Sequence, residues 1–204
     1  MSLYLALGDS ITTGYGVGYR YAFASLFYQK FAAVYPGMVY CNLAVNGQTT
    51  GELSRLLSNA ELVFLLKQSS MITITIGSND LLQALPFILS GSRNQQKVIL
   101  RETAGNINLI GQEIRRINKD AVIKIAAIYN PLPGGRFAAY SDQSQNLIGP
   151  LNAHLARWVK KYWAELIPLD QIFKGQKRYL LNPDQIHPNR LGHLLIAQAF
   201  SENL

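Results

Sequence analysis

Ser10, Asp184 and His187 have the types and spacing of a nucleophile and its base. Ser10 ends the segment Gly8-Asp9-Ser10, directly after a short apolar run. A serine hydroxyl at such a turn is exposed but weakly nucleophilic, and a lone serine there more often only caps a helix. Asp184 and His187 are three residues apart, so the carboxylate can hold one imidazole nitrogen while the other nitrogen faces a serine. Together the two segments indicate a serine nucleophile with a histidine base.

The other two histidines lack this setting. His154 and His193 lie in helical patterns, and neither follows a carboxylate at a useful spacing in a loop. We therefore predict structural or surface positions for both.

Two further segments offer hydrogen-bond donors for a developing oxyanion. The segment Gly77-Ser78-Asn79-Asp80 follows a β-branched run, and the side-chain amide of Asn79 can donate from there. We expect Asp80 to cap a helix that starts at Leu81, which leaves Asn79 for the site. Gly47 follows another apolar run, and a glycine lets the chain turn so that its N–H faces the site. As a single signal, Gly47 would indicate only a turn.

Five strand-like runs alternate with helical patterns along the chain. The sequence Thr49-x-x-Glu52 matches a capping box ahead of an apolar helical face that extends to Ala60, and Asn189 is the expected N-cap of the last helix. The strand-like runs are Leu3 to Leu7, Met38 to Ala44, Met71 to Ile76, Ala121 to Ile128 and Leu166 to Leu169, and the other helical stripes are Phe23 to Val34, Leu100 to Ile117, Leu147 to Tyr162 and Leu191 to Phe200.

This alternation predicts an α/β fold. The expected architecture is a three-layer α/β/α sandwich around about five parallel strands, in one domain over residues 1–204. Sites in such sheets form beyond the carboxyl ends of the strands. Ser10, Asn79 and Gly47 all fall at predicted strand ends, so we expect them at one edge of the sheet.

Composition excludes several classes of protein. Of the 204 residues, 49% are hydrophobic and 15% are charged, a balance that disordered chains do not have. The single cysteine, Cys41, excludes a disulfide scaffold. No apolar run reaches the ~18 residues of a membrane-spanning helix, and residues 1–7 lack the basic start of an export signal. The expected location is cytoplasmic, or secreted if an export signal has been removed.

The net charge of +7 arises entirely in the second half of the chain. Residues 1–90 contain four basic and four acidic side chains, whereas residues 91–204 contain fifteen basic and eight acidic ones. Such an excess can attract nucleic acid, anionic lipid or an acidic substrate. The charges are scattered, with small clusters only at Lys160-Lys161 and from Lys174 to Arg178, which favours a solvated basic face. We expect no nucleic-acid partner and at most a weak contact with anionic lipid.

Four blocks, in this order, resemble the SGNH hydrolases, also called GDSL esterases and lipases. Gly77-Ser78-Asn79-Asp80 and the block from Asp184 to Asn189 match that family at their key positions. Gly8-Asp9-Ser10-Ile11 has isoleucine where the family name has leucine. In the block 42–47, alanine and asparagine stand where glycine and serine are usual. The resemblance extends from Gly8 to the last helix, and the four blocks together form a specific signal.

The resemblance implies a flavodoxin-like sheet and a serine hydrolase that uses no metal or other cofactor. Ser10 would be the nucleophile, His187 the general base and acid, and Asp184 the carboxylate that orients the histidine. The backbone N–H groups of Ser10 and Gly47 and the Asn79 amide would form the oxyanion hole.

The implied substrate is a small-molecule carboxylic ester. It would be a short or medium acyl ester, a lysophospholipid, a thioester or an acetylated sugar. The apolar residues 81–89 would mostly pack in the core, with some of them beside the site, and residues 129–135 would form the other wall of an acyl pocket.

Two other interpretations of the same residues remain open. A metal-assisted phosphoesterase would use Asp9, Asp184 and His187 as ligands, although these come from two distant segments without a His-rich motif. A non-enzymatic anion- or nucleotide-binding module would use the glycine turns and the basic half, but it would not need Asp184 and His187 beside a serine.

Overall fold

Five parallel strands form one sheet in the computed structural model, which describes residues 2–131 and 141–202 except for the side chains of residues 88 and 89. The strand order across the sheet is β2-β1-β3-β4-β5, and every neighbouring pair is parallel. The predicted α/β class and parallel sheet are therefore confirmed. The strands are β1 (Leu3–Gly8), β2 (Val39–Asn42), β3 (Ser69–Thr75), β4 (Val122–Ala126) and β5 (Glu165–Ile167).

Helices connect the strands and cover both faces of the sheet. A 3-10 turn, Tyr19–Tyr21, lies between the first two helices. In the described part of the chain, no helix is both long and apolar enough to cross a membrane. The helices are α1 (Ser10–Thr13), α2 (Phe23–Val34), α3 (Thr50–Leu56), α4 (Ala60–Gln68), α5 (Ser78–Gln83), α6 (Leu85–Leu89), α7 (Arg93–Ile117), α8 (Ser141–Lys161), α9 (Leu169–Ile172), α10 (Lys177–Leu180) and α11 (Arg190–Ser201).

The sheet divides the hydrophobic core into two clusters, because alternate side chains of a strand point to opposite faces. Leu5 and Leu7 of β1 pack with α3, α4, α5, α7 and α8 on one face. Tyr4 and Ala6 pack with α2, α9, α10 and α11 on the other. Each fully buried leucine contributes roughly 1.5–3 kcal/mol to folding. The sheet, in which β1 is buried on both faces, is therefore the central layer of the predicted sandwich.

Several predicted elements have different bounds in the structure; α7 and α8 begin earlier than predicted, and β5 ends at Ile167 instead of Leu169. The apolar face after the capping box does not run on to Ala60, because the Asn59 side chain accepts hydrogen bonds from the N–H groups of Glu61 and Leu62 and begins a new helix, α4. Strand β2 ends at Asn42, whose side chain accepts from the Ala44 N–H and turns the chain away from the sheet. Strand β4 ends at residue 126, two residues short of the prediction.

The central crevice of the sheet lies at the carboxyl end of β1, where successive connections lead to opposite sides of the sheet. From β1 the chain moves to β2 on one side and then to β3 on the other. The carboxyl ends of β1 and β3 lie side by side at this point, with Gly8 paired to Thr75. This crevice is the expected position for a site in a parallel sheet.

Candidate active site

Ser10, His187 and Asp184 form a continuous chain of hydrogen bonds at this crevice. The Oγ of Ser10 lies 3.0 Å from Nε2 of His187. The Nδ1 of the same ring lies 2.7 Å from Oδ2 of Asp184. The folded chain thus brings together the hydroxyl, the imidazole and the carboxylate that the sequence singled out, although the serine and the histidine are 177 positions apart.

A tight turn holds the acid and the histidine in this arrangement. Oδ1 of Asp184 accepts from the backbone N–H groups of Ile186 and His187 at 2.9 and 3.0 Å, and Gln185 between them has a left-handed φ of 59°. Desolvation acts to raise the pKa of Asp184, but these backbone hydrogen bonds and the contact with the imidazole outweigh it, so the pKa lies below its ordinary value. The carboxylate therefore stays ionised beside the ring.

The start of α1 positions Ser10. Asp9 is the N-cap: its Oδ1 accepts from the N–H of Ile11 at 3.0 Å and from Oγ1 of Thr75 at 2.8 Å. Gly8 is required here, because a Cβ at its φ of 129° would lie 2.0 Å from the Thr75 carbonyl oxygen. The close approach of β1 to β3 at Gly8 thereby fixes the position of Ser10 at the start of α1.

Burial raises the pKa of Asp9. Its carboxyl group is 1% exposed, and desolvation raises its pKa to about 6, although the hydrogen bonds from Thr75 and Ile11 and the charge of His187 act in the opposite direction. The Asp9 carboxylate and a positively charged His187 therefore stabilise each other.

Asn79, in the first turn of α5, contacts the loop after β2 that carries Gly47. The Asn79 amide donates to the Gln48 carbonyl at 2.9 Å. Gly47, in the preceding position of that loop, has a left-handed φ of 79°. A hydrogen bond from the Thr13 hydroxyl to the Asn46 side chain ties the same loop to α1.

Asp80 does not have the predicted role. Helix α5 begins at Ser78 with Gly77 as its N-cap, so Asp80 lies inside the first turn rather than ahead of the helix. Its carboxylate instead accepts from the N–H and the hydroxyl of Thr50 at 2.9 and 2.6 Å. Asp80 therefore joins the start of α3 to α5, and Asn79 precedes it on the same turn.

An apolar cavity opens beside the serine hydroxyl. Its volume is about 90 Å³, and Ser10, Asn79 and His187 all line it. Of the segments expected to line it, 81–89 and 129–135, three residues of the first and residues 129–131 of the second do so, while residues 132–135 lie outside the described part of the chain. The leucine and isoleucine side chains that line it are Ile11, Leu81, Leu82, Leu85, Ile128, Leu147, Ile148 and Ile186.

Known proteins with this sequence pattern and fold are esterases and lipases. The profile of the GDSL-like lipase/acylhydrolase family matches residues 6–195. The chain belongs to this family. It is 28% identical to the spore germination lipase LipC of Bacillus licheniformis over 209 residues, which covers 98% of this chain and 93% of LipC. The family assignment identifies the chain as a GDSL-type esterase.

Solved structures support the fold of this GDSL-type esterase. The lipase Lip_vut3 from a goat rumen metagenome superposes with a TM-score of 0.83 at 24% identity, covering 98% of this chain and 96% of the other. The acetylxylan esterase Axe2 of Geobacillus stearothermophilus superposes with a TM-score of 0.74 at 20% identity, covering 97% and 91%. These similarities show that the α/β/α sandwich is shared.

The remaining histidines of the esterase lie outside the hydrogen-bonded chain at Ser10. His193 is fully buried in α11, where its Nδ1 accepts from the Phe23 N–H at 3.2 Å. His154 lies in α8, and desolvation lowers its pKa. Across residues 2–131 and 141–202, no three His, Cys, Asp or Glu side chains are grouped to hold a metal ion.

The contacts that Tyr15 and Tyr129 make at the site were not predicted, although Tyr129 was expected in the pocket wall. The half-exposed ring of Tyr15 lies 4.5 Å from the His187 ring, centroid to centroid, at 43°. The hydroxyl of Tyr129 donates to the Ile186 carbonyl and so holds the turn before the histidine. The Tyr129 ring is stacked on Phe173 at 4.2 Å. No spacing rule could have found these contacts, because each joins residues that are distant in the sequence.

Proposed function

We propose that this GDSL-type esterase hydrolyses small carboxylic esters through an acyl-serine intermediate at Ser10. The observation that carries the proposal is the unbroken hydrogen-bond chain from the Ser10 hydroxyl through His187 to Asp184. Such a chain activates a serine, since the imidazole can accept its proton and the carboxylate stabilises the imidazolium that results.

The proposed reaction has two steps. Ser10 Oγ attacks the ester carbonyl carbon while its proton passes to His187 Nε2. The bond from that carbon to the alcohol oxygen breaks, the alcohol leaves with the proton from His187, and the acyl group stays on Ser10. Water then attacks the acyl-serine and gives a proton to His187, which returns it to Ser10 Oγ as the acyl–oxygen bond breaks. The products are an alcohol and a carboxylic acid.

The oxyanion of each step requires hydrogen-bond donors. We assign this role to the backbone N–H groups of Ser10 and Gly47 and to the side-chain amide of Asn79. An amide nitrogen has two N–H groups, so Asn79 can donate one to Gln48 and the other to the substrate. The first bond holds the amide in place before substrate binds, which is the condition for electrostatic preorganisation.

The size of the apolar cavity favours short acyl groups. An apolar cavity of about 150 Å³ accommodates benzene, so the observed volume of about 90 Å³ fits an acyl chain of about four carbons. The lipase and acetylxylan esterase names of the related proteins agree with ester substrates in general, and the cavity volume supports a short acyl group.

A panel of p-nitrophenyl esters from C2 to C12 tests the proposal. We expect kcat/KM to be highest near C4, and we expect Ser10→Ala to lower kcat on the order of 10⁴-fold or more. Ser54→Ala on α3 is the matched control and should retain full activity. Mass spectrometry should find a phosphonate inhibitor bound covalently to Ser10. Activity that survives in Ser10→Ala would rule out the serine mechanism.

Asn79→Ala separates the oxyanion role from the nucleophile. Losing one preorganised donor should lower kcat by about 10²–10³-fold while KM for a C4 ester changes little. If Asn79→Ala retained wild-type kcat, the assignment of Asn79 to the oxyanion hole would be wrong even with Ser10 confirmed.

A further inference from the structure

Trp163 is the most exposed large hydrophobic side chain in the described part of the chain. It is 80% exposed, whereas the other tryptophan, Trp158, is 1% exposed in the core. Tryptophan is highly buried on average in folded proteins, because its ring removes a large apolar area from water when it packs. An indole left in water adds little to the core, so the fold does not account for Trp163.

The backbone at Trp163 is also unfavourable for a bulky side chain. Its φ is 47°, in the left-handed region where glycine is favoured and a bulky residue is an outlier. The residue follows the end of α8, where the Ala164 N–H donates to the Val159 carbonyl at 2.9 Å and closes the helix. Helices that end with this bond usually have glycine at this position. Glycine would therefore suit the turn better than tryptophan does.

Arg115 fixes this turn against the neighbouring loop. Its guanidinium donates to the carbonyl groups of Tyr162 and Trp163 at 2.7 and 2.8 Å. The same group donates to the carbonyls of Lys119 and Ala121 at 3.2 and 2.7 Å. One side chain thus joins the turn after α8 to the loop between α7 and β4, and the exposed indole extends from a backbone that is held in place.

The two segments that Arg115 joins are basic. Residues 113–120 and 157–163 contain six basic and two acidic side chains, and residues 143–164 contain no acidic one. Basic side chains at the end of a helix interact favourably with its dipole, so the cations alone would not indicate a partner. Beside an exposed indole they form a positively charged surface with an apolar centre. This Trp163 surface consists of Lys119, Arg157, Lys160, Lys161 and Trp163, all of them exposed.

The nearby carboxylates do not pair with the cations of α8. Glu113 forms an ion pair with Arg116 at 2.8 Å, and the charge of Asp120 acts on Arg115. Among the residues that the structure describes, no carboxylate forms an ion pair with the three α8 cations of the Trp163 surface. Their charge is therefore available to an anionic partner.

We propose that the Trp163 surface docks the protein reversibly on an anionic lipid bilayer, with the indole in the membrane interface and the cations at the lipid headgroups. Tryptophan is enriched at membrane interfaces because one end of its ring is apolar and the other can hydrogen-bond to water. Lysine and arginine near an anionic leaflet add to the affinity. A single apolar side chain with a few cations gives reversible binding, not permanent anchoring.

Docking through this surface would leave the candidate active site open to water. Trp163 lies two residues before β5, at the amino end of the sheet. All neighbouring strands are parallel, so Ser10, which follows the carboxyl end of β1, lies at the opposite end. If the proposed esterase function is correct, the docked protein would hydrolyse water-soluble esters. The docking itself does not depend on that function.

Sedimentation with vesicles tests the docking on the whole protein. Phosphatidylcholine vesicles with about 30% phosphatidylserine should carry wild type into the pellet at low salt, whereas pure phosphatidylcholine vesicles should not. Binding should weaken as salt is added, because salt screens the cations. Brominated lipids in the anionic vesicles should quench the emission of Trp163, while the emission of the buried Trp158 should remain.

Variants separate the indole from the charge. Trp163→Gly should weaken vesicle binding about tenfold or more, while its urea midpoint stays at or above that of wild type, because glycine suits the left-handed backbone. Trp163→Tyr keeps an aromatic ring on the same backbone and should retain most of the binding. Lys160→Gln/Lys161→Gln should also weaken binding about tenfold or more. The control Lys97→Gln/Arg101→Gln removes the same charge from exposed positions on α7 and should match wild type.

Several outcomes would overturn the docking proposal. Wild type could fail to sediment with anionic vesicles, bind neutral vesicles equally well, or show no quenching of Trp163. An equal loss in the α7 control would assign the binding to net charge alone. A wild-type dimer that Trp163→Gly converts to a monomer would identify a second copy as the occupant, and tighter binding to mixed-sequence DNA than to vesicles at the same salt would identify a nucleic acid. None of these measurements uses ester hydrolysis, so failure of the esterase function would leave them unchanged.

Discussion

Asp9 is a buried carboxyl group that interacts electrostatically with His187. It caps α1 through Oδ1, while its Oδ2 is buried without a hydrogen-bond partner among the described residues. The charge of His187 lowers the pKa of Asp9 against the larger effect of burial. Because electrostatic coupling is reciprocal, the ionised Asp9 would also stabilise the imidazolium of the proposed mechanism.

Asp9→Asn should separate this electrostatic effect from the capping role. Asparagine keeps the side-chain oxygen that accepts from Ile11 and is an equally good N-cap, but it carries no charge. We expect kcat to fall on the order of fivefold and the acidic limb of the pH–rate profile to move to lower pH. In wild type, burial raises the pKa of Asp9 itself to about 6. The acidic limb of the variant's pH–rate profile should therefore contain one ionisation fewer. Profiles of kcat/KM from pH 4.5 to 8 that superimpose would contradict the coupling.

At the level of secondary structure, the start of α3 is held both by a local capping box and by a carboxylate that is distant in the sequence. The capping box between Thr49 and Glu52 is present as predicted, because both partners lie within one helical turn. The carboxylate of Asp80 binds the next residue, Thr50, from 30 positions away. It connects α3 to the turn that carries Asn79, so the stability of α3 and the position of Asn79 depend on the same contact.

Asp80→Ala should therefore affect both stability and activity. It leaves the buried N–H and hydroxyl of Thr50 without their acceptor, which we expect to cost about 2–4 kcal/mol in the free energy of unfolding. Asn79 would also lose its fixed position, so kcat should fall. Thr49→Ala, which removes only the local cap, should cost about 1 kcal/mol and leave kcat unchanged. Urea unfolding and C4 ester kinetics on both variants make the comparison, and equal effects on kcat would contradict it.

Over the whole molecule, two buried ionisable groups act on stability in opposite directions. Burial of His193 lowers its pKa from 6.5 to about 4, with a smaller contribution from the charge of His187. As pH falls from 6.5 to 4, the unfolded state therefore binds a proton that the folded state does not, and stability decreases. Asp9, with its pKa raised from 3.8 to about 6, binds a proton in the folded state first, so its contribution increases stability over nearly the same range.

His193→Asn should expose this balance. Asparagine retains an acceptor for the Phe23 N–H but does not titrate. Of these two contributions to the pH dependence of stability, only that of Asp9 then remains. We expect the variant to gain about 3 kcal/mol of unfolding free energy relative to wild type when the pH is lowered from 7 to 4. Urea unfolding at the two pH values measures this difference. A difference in unfolding free energy that stays constant across the pH range would show that His193 takes up a proton as readily in the folded state as in the unfolded state.

The elements of the fold and the three residues of the candidate site could be predicted from the sequence because their signals are local. Apolar alternation predicted each strand of the sheet, and the capping residues Thr49 and Asn189 begin helices as expected. Ser10 and the pair Asp184 and His187 stood out because each chemical motif lies within four consecutive residues. The parallel-sheet rule then placed the polar strand ends at one edge.

Only the tertiary structure decided the contacts between distant segments. The Asp80 carboxylate binds Thr50, the Tyr15 ring lies against His187, and the Tyr129 hydroxyl donates to the Ile186 carbonyl. None of these has a sequence spacing that signals it, because each depends on how whole helices pack on the sheet. The same is true of the raised pKa of Asp9, since the cause is burial, and the extent of burial is a property of the folded molecule.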